Sequence, residues 1–507
     1  MWPTVPRVTA SRALPSRPAR TSDLFTPAYR AMVVGLVLTV TLVAVEALAI
    51  GTVMPIVAGE LRGLELYGWV FSAFFLGNLI GIVLAGGALD RMPLVRPFAA
   101  GMGLFALGLA IGGLAPSMPV LVLGRFVQGL GAGAVSPTAY VAIGRTLPES
   151  LRPRMFAILS TAWVVPGVIG PSIAAVVGEV LGWRWVFLGL LPLLAVAVAL
   201  ALYALRAVPD AEPASPEHQA AANAVRRLPN ALLVAAGAGI LVAALTAPEP
   251  VLLVVGSAAG LAILLPAFRR LTPAGTLVLA AGLPAAVLLR GLLTFAFFGP
   301  DAYLPLVLQD WRETSPALTG LAYTAATLSW TAGSWLQARR IDRLGPAPFV
   351  TVGFGTVTVG TVATAAVLLR TVPPEVAVAT WALTGLGMGF AYSAFTVIVL
   401  RDAAPAEQGQ VTSALQLSET LGTALGIGLS GAFVAAAARA GAGEALGIAL
   451  AAVFGLGVAA AVVGALGSRR LRTRRAEREA RARAGDGPDL CSTEAPAEGH
   501  VAAKPGG

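Results

Sequence analysis

Residues 31–56 read AMVVGLVLTVTLVAVEALAIGTVMPI, a run of 26 residues in which Glu46 is the only ionisable group. About 20 predominantly apolar residues cross a bilayer as a helix, so this stretch predicts a membrane span. The 30 residues before it carry Arg7, Arg12, Arg17, Arg20 and Arg30 without an apolar core. That is not the pattern of a cleavable signal, and the run is read as an uncleaved first helix. Working outward, runs of spanning length recur near 68–88, 97–115, 119–142, 155–178, 184–205, 229–246, 250–268, 287–309, 317–337, 347–369, 376–400, 410–434 and 445–467. With the first, these make fourteen. The runs at 229–246 and 250–268 are short enough to fit an interfacial hairpin instead, which would leave twelve. The stretch 271–286 is interrupted by Pro273, Gly275, Gly282 and Pro284 and is placed at the membrane interface.

The composition agrees. Of 507 residues 57% are apolar and 12% charged, with a mean hydropathy of +0.80; soluble domains carry roughly 25% charge. A soluble enzyme, a disordered chain and a disulfide scaffold are excluded, and the single Cys491 has no internal partner. The net charge of +9 does not point to nucleic acid. With the N-terminus in the cytoplasm, 28 basic residues fall in cytoplasmic segments and five, Arg62, Arg184, Arg312, Arg370 and Arg439, in outer loops. The positive-inside rule selects that orientation, with twelve spans or fourteen. Tyr67, Trp69, Trp183, Trp185 and Trp311 then lie at outer helix ends as an interfacial aromatic belt.

The expected organisation is an N-tail (1–30), a six-helix half (31–205), a cytoplasmic loop (206–228) whose Pro213 and Pro216 break any helix, an extra helix pair (229–269), a second six-helix half (270–467) and a basic, disordered cytoplasmic tail (468–507).

Between the second and third runs the chain reads Gly86-Gly-Ala-Leu-Asp90-Arg91-Met-Pro93, and after the tenth it reads Asp342-Arg343-Leu-Gly345. The fourth run holds Arg125-Phe-Val-Gln128-Gly129, the fifth Pro166-Gly167-Val-Ile-Gly170-Pro171, and the first has Glu46 nine residues before Pro55. In this order and placement the segments resemble motifs of the major facilitator superfamily, and of its fourteen-span drug:proton antiporters in particular. The match is degenerate. Pro93 stands where the signature loop has Gly, Ala338 replaces the upstream Gly of the second copy, and Pro166 replaces a Gly of the antiporter motif. The resemblance implies an all-α integral membrane protein of the major facilitator fold, two six-helix halves plus two extra central helices. It implies that Gly86, Asp90, Arg91, Asp342 and Arg343 latch the halves, and that Pro166, Gly167, Gly170 and Pro171 seal the cytoplasmic path of an exporter. It also implies a monomer in a bacterial inner membrane, multi-pass with both termini cytoplasmic.

Ionisable groups inside spans cost about 2.5–3.5 kcal/mol each on insertion scales, so they are the first candidates for function. Glu46, Arg125, Asp301 and Glu419 lie well inside runs; Arg290 is read as near the cytoplasmic end of its run. At about 1.5 Å per residue, Glu46, Arg125 and Asp301 lie about 15, 9 and 12 Å from the outer end, which fits one layer. An acid that alternates between an arginine partner and none binds and releases a proton. Glu46 and Asp301 are therefore read as proton carriers, with Arg125 tuning Glu46; a static ion pair that fixes packing is the alternative. Glu419, Gln128, Trp163, Trp330 and Tyr392 are candidates for a substrate cavity, where aromatic faces suit cations.

No catalytic or metal-ligating cluster and no phosphate-binding loop is found. No cofactor is expected; the energy source would be the proton gradient, and the partners the lipid bilayer, protons and a small-molecule substrate. The reading is a secondary active transporter, exporting amphipathic drugs or toxic compounds by alternating access. The alternatives are a narrow-substrate exporter of a metabolite, lipid or antibiotic, and a non-transporting membrane sensor or scaffold.

Overall fold

A computed structural model describes residues 21–471, except 28, 90, 207, 209–215 and 405–406. Among the described residues every regular element is helical. The first half contains α1 (Arg30–Glu60), α2 (Tyr67–Leu89), α3 (Val95–Gly113), α4 (Met118–Ala132), α5 (Val135–Thr146), α6 (Arg152–Val180), α7 (Arg184–Leu188) and α8 (Leu190–Leu205). Then come α9 (Pro216–Thr246) and α10 (Pro250–Leu271). The second half is α11 (Leu283–Pro305), α12 (Pro316–Leu344), α13 (Pro346–Ala365), α14 (Val376–Asp402), α15 (Gln408–Arg439) and α16 (Glu444–Gly467). Counting α4 with α5, α7 with α8, and α11 with the π-turn Leu306–Trp311 that continues it, thirteen helices among the described residues are long and apolar enough to cross a membrane. The remaining long helix is α12, at 29 residues. It is less apolar because Thr324, Thr327, Ser329, Thr331 and Ser334 run along it. Their hydroxyls are all satisfied by backbone carbonyls.

Several boundaries differ from the sequence reading. The loop expected over 206–228 ends early, because α9 begins at Pro216. Proline is tolerated at the first helical position, where its missing N–H would be unpaired anyway, so Pro216 starts a helix where it was expected to break one. Pro250, Pro316 and Pro346 open α10, α12 and α13 in the same way. Gly345, at φ +73°, ends α12 in a conformation that side chains disfavour. The second half begins at Leu283, after a short turn at Thr276–Val278. Thr21–Phe25 forms a 3₁₀ turn with Leu24 buried. The rest of the N-tail before residue 21 and the basic tail beyond Leu471 lie outside the described residues.

Glycines set the helix spacing. A Cβ on Gly77 would stand 3.0 Å from Leu130 N, one on Gly133 would stand 2.5 Å from Ile82 N, and one on Gly389 would stand 2.8 Å from Ser334 N. Small residues permit such backbone-to-backbone approach in membrane helices. The extra pair packs through Gly237 and Gly260, and α9 rests on α2 and α15, one helix from each half. At its end Thr246 Oγ1 accepts from Trp69 Nε1 (3.2 Å), and Thr246 O accepts from Arg439 (2.9 Å).

The molecule has two unlike ends. One carries Trp183, Arg184 and Glu60, joined by hydrogen bonds, and Trp311 bonded to Leu368 O; this is the aromatic face. The other carries the helix ends with Arg91, Arg145, Arg152, Arg269, Arg270, Arg340 and Arg343; this is the basic face. Among the described residues, side-chain hydrogen bonds join the two halves from Gln309 Nε2 to Thr52 O (3.0 Å), Ser72 Oγ to Ala424 O (3.0 Å) and Thr324 Oγ1 to Val168 O (2.8 Å). Among the described residues none of these bonds joins the basic ends of the halves. The halves are pinned toward the aromatic face.

Candidate functional site

In the first half, Arg125 enters the interior from α4 and ion-pairs with Glu46 of α1; their side chains are 2% and 1% exposed. The guanidinium also donates to Val70 O (3.2 Å) and to Gln128 Oε1 (2.8 Å), and lies 4.4 Å from the Phe74 ring centre. A buried pair offsets its desolvation only when further hydrogen bonds satisfy the remaining atoms. Gln128 lies against both partners, accepting from Arg125 and reaching the Glu46 carboxylate. Gln128 was expected to line a cavity; it is fully buried and holds Arg125.

A second pair occupies the other half. Arg290 of α11 donates to Glu419 Oε2 of α15 through Nη2 (2.8 Å) and Nε (3.2 Å), and also donates to Tyr392 O. Its guanidinium stacks 3.2 Å from the Tyr392 ring centre, and the Tyr392 hydroxyl donates to Glu419 Oε1 (2.6 Å). Arg290 was expected near a helix end. It sits seven residues inside α11 with its side chain 4% exposed, whereas that of Glu419 is 26% exposed. The pair therefore turns its acid outward. Tyr140 of α5, in the first half and 54% exposed, lies within electrostatic range of Glu419.

Two glycines permit this pair. A Cβ on Gly422, three residues after Glu419, would stand 2.8 Å from Cα of Gly291, one residue after Arg290. Gly422→Ala is expected to cost about 1–3 kcal/mol through overpacking and to part Arg290 from Glu419. A lowered unfolding midpoint in nanodiscs checks it; an unchanged midpoint contradicts the close approach.

Asp301 is set apart from both pairs. Its Oδ1 accepts from Trp381 Nε1 (3.1 Å) and its carbonyl from the Tyr323 hydroxyl (2.7 Å). Among the described residues it makes no ion pair. Tyr323 also packs on Gly51 of α1, so Asp301 neighbours the Glu46 helix without joining its pair. Trp330 and Tyr392 are partly buried and in ring contact (5.3 Å), while Trp163 is 48% exposed.

The fifth-run motif lies where the halves meet. Pro166, Gly167, Gly170 and Pro171 are buried on α6; Gly167 packs on Thr327 and Pro171 on Gly320, both of α12, and Gly170 faces Val45 beside Glu46. Among the described residues Arg91, Asp342 and Arg343 are exposed and no ion pair includes them, a Cβ on Gly86 would meet nothing, and Asp90 of the expected latch lies outside the described residues.

The family model of the Major Facilitator Superfamily matches residues 35–427. The chain belongs to this superfamily. A probable multidrug-efflux transporter of Mycobacterium tuberculosis is 28% identical over 402 residues, covering 76% of this chain and 83% of that protein. A multidrug transporter protein of Bacillus subtilis is 23% identical, covering 79% and 74%. Among solved structures, a bacterial homologue of the human lysosomal transporter Spinster shares the fold at TM-score 0.61 and 16% identity, covering 88% of this chain and 98% of that one. A POT family peptide transporter does so at TM-score 0.62 and 18% identity, covering 87% and 97%. The chain is thus a multi-pass, all-helical membrane protein of the major facilitator fold, with α9 and α10 added between its halves.

Proposed function

We propose that this transporter is a proton-coupled exporter of amphipathic drugs or toxic compounds. It works as a monomer in the inner membrane of a bacterium, with the basic face and both termini in the cytoplasm. The observation that carries the reading is the buried Glu46–Arg125 pair, an acid held in the membrane interior by a single cation. A proton on Glu46 removes the charge that Arg125 neutralises, so pair strength and protonation are linked. The export direction rests on the similar efflux transporters; the bonds toward the aromatic face mark one conformation of an alternating-access cycle. The similar efflux transporters support the substrate range.

The test is ethidium movement in proteoliposomes under an imposed pH gradient. Accumulation that follows the gradient and collapses with a protonophore is expected. Movement driven by sodium and indifferent to pH overturns the coupling ion; no movement of any cationic dye points to a narrow-substrate exporter.

A further inference from the structure

The second half contains an unbroken file of aromatic rings between Asp301 and Glu419. Trp381 donates to Asp301 Oδ1 (3.1 Å) and stacks on Phe297 with centroids 5.3 Å apart. Phe297 meets Trp330 edge to face (5.6 Å), Trp330 meets Tyr392 edge to face (5.3 Å), and Tyr392 donates to Glu419 Oε1 (2.6 Å). The file has a simple geometric origin. Arg290, Phe297 and Asp301 are spaced i, i+7, i+11 on α11, so they share one face. Trp381 and Tyr392 are spaced i, i+11 on α14, which runs the opposite way, and Trp330 of α12 fills the space between. Asp301 and Arg290 are about 16 Å apart along the axis, beyond any direct contact.

We infer that Trp381, Phe297, Trp330 and Tyr392 form a relay through which the protonation state of Asp301 sets the geometry of the Arg290–Glu419 site. The inference rests on reading Asp301 as a proton-binding group. A hydrogen bond to a carboxylate is roughly twice as strong as one to a neutral acceptor. Protonating Asp301 therefore loosens the anchor of Trp381. Trp381 is fully buried and stacked, so its displacement is passed to Phe297 rather than absorbed by solvent. Edge-to-face contacts resist sliding, and the file ends at the hydroxyl that holds one oxygen of Glu419. Its other oxygen is held by Arg290, which stacks on the same Tyr392 ring, so moving Tyr392 disturbs both partners at once. The other titratable groups in range are Tyr323 and Tyr67 near Asp301, and Tyr140 near Glu419. These four ring residues are positioning residues.

The experiment reads Glu419 directly, without substrate. The full chain in nanodiscs is treated with dicyclohexylcarbodiimide, which attacks protonated carboxyl groups, and labelling of Glu419 is followed by mass spectrometry across pH. Asp301→Asn mimics the protonated state and is expected to change the Glu419 labelling rate about fivefold or more at fixed pH. Trp330→Leu keeps apolar bulk but ends the file, so the Asp301→Asn effect is expected to vanish in that background. Trp330→Phe keeps a ring and is expected to preserve it, which separates relay from misfolding. An Asp301→Asn effect of equal size with Leu at position 330 overturns the relay in favour of through-space electrostatics; no effect in the wild-type background overturns it outright. A chain that shows the labelling pattern but moves no ethidium keeps the relay and loses the export reading.

Discussion

Replacing Glu46 with Gln is expected to reduce gradient-driven ethidium export to the protein-free background. The same change is expected to destabilise the fold, since removing one partner of a buried pair costs about 3–5 kcal/mol by stranding the other charge. Arg125 would be the stranded charge: it is 2% exposed, and the new amide oxygen, Gln128, Val70 O and the Phe74 face satisfy its N–H groups without neutralising it. Lost transport in the single variant therefore has two explanations, and the double variant separates them. In Glu46→Gln with Arg125→Gln no charge remains to strand, so most of the lost stability is expected to return. Transport is expected to stay at background, because the proton-accepting oxygen is gone. Unfolding midpoints in nanodiscs and ethidium flux on the same preparations read the two quantities. Recovery of both in the double variant would make the pair a packing clamp.

The charged half of that site was legible because the cost of an ionisable group in hydrocarbon is paid wherever it sits in the sequence. Glu46 interrupts an apolar run and Arg125 another, and their depths placed them in one layer. Arg290 was misplaced for a related reason. The apolar run was counted from Val287, which put Arg290 at its edge, whereas α11 starts at Leu283, after Gly282 and with Pro284 in its first turn, and buries it. Its pairing with Glu419, 129 residues away, follows from the close approach of Gly291 and Gly422, which no single segment announces. Charge did not mark the end of a helix: α12 continues through Arg339, Arg340, Asp342 and Arg343 to Leu344. Pro216 misled because proline breaks a helix from within yet begins one at no cost. The ring file was readable only as equal spacings of eleven residues on two helices, a pattern without meaning until their antiparallel neighbourhood is known.

Asp301→Asn is expected to do to transport what Glu46→Gln does, without its effect on stability. No ion pair is broken, since among the described residues none includes Asp301. Asn Oδ1 accepts from Trp381 Nε1 as the carboxylate did, and the Tyr323 bond goes to the backbone carbonyl, which the substitution does not touch. What is lost is the charge-assisted part of one hydrogen bond, about 1 kcal/mol, against the gain of no longer burying a carboxylate. The unfolding midpoint is therefore expected to stay within about 1 kcal/mol of wild type. Gradient-driven export, in contrast, is expected to fall at least tenfold, while exchange of ethidium down its own gradient persists, since the substitution removes no group from the candidate cavity residues Glu419, Tyr392 and Trp330. The contrast is the decisive feature. A residue that only supports structure lowers stability and transport together. One that carries a proton lowers coupled transport alone, and Asp301, held by a single indole and by no cation, is the acid in this molecule for which the two outcomes separate most cleanly. Coupled export that survives Asp301→Asn with its pH dependence unchanged would leave Glu46 as the carrier and reduce Asp301 to an anchor for Trp381.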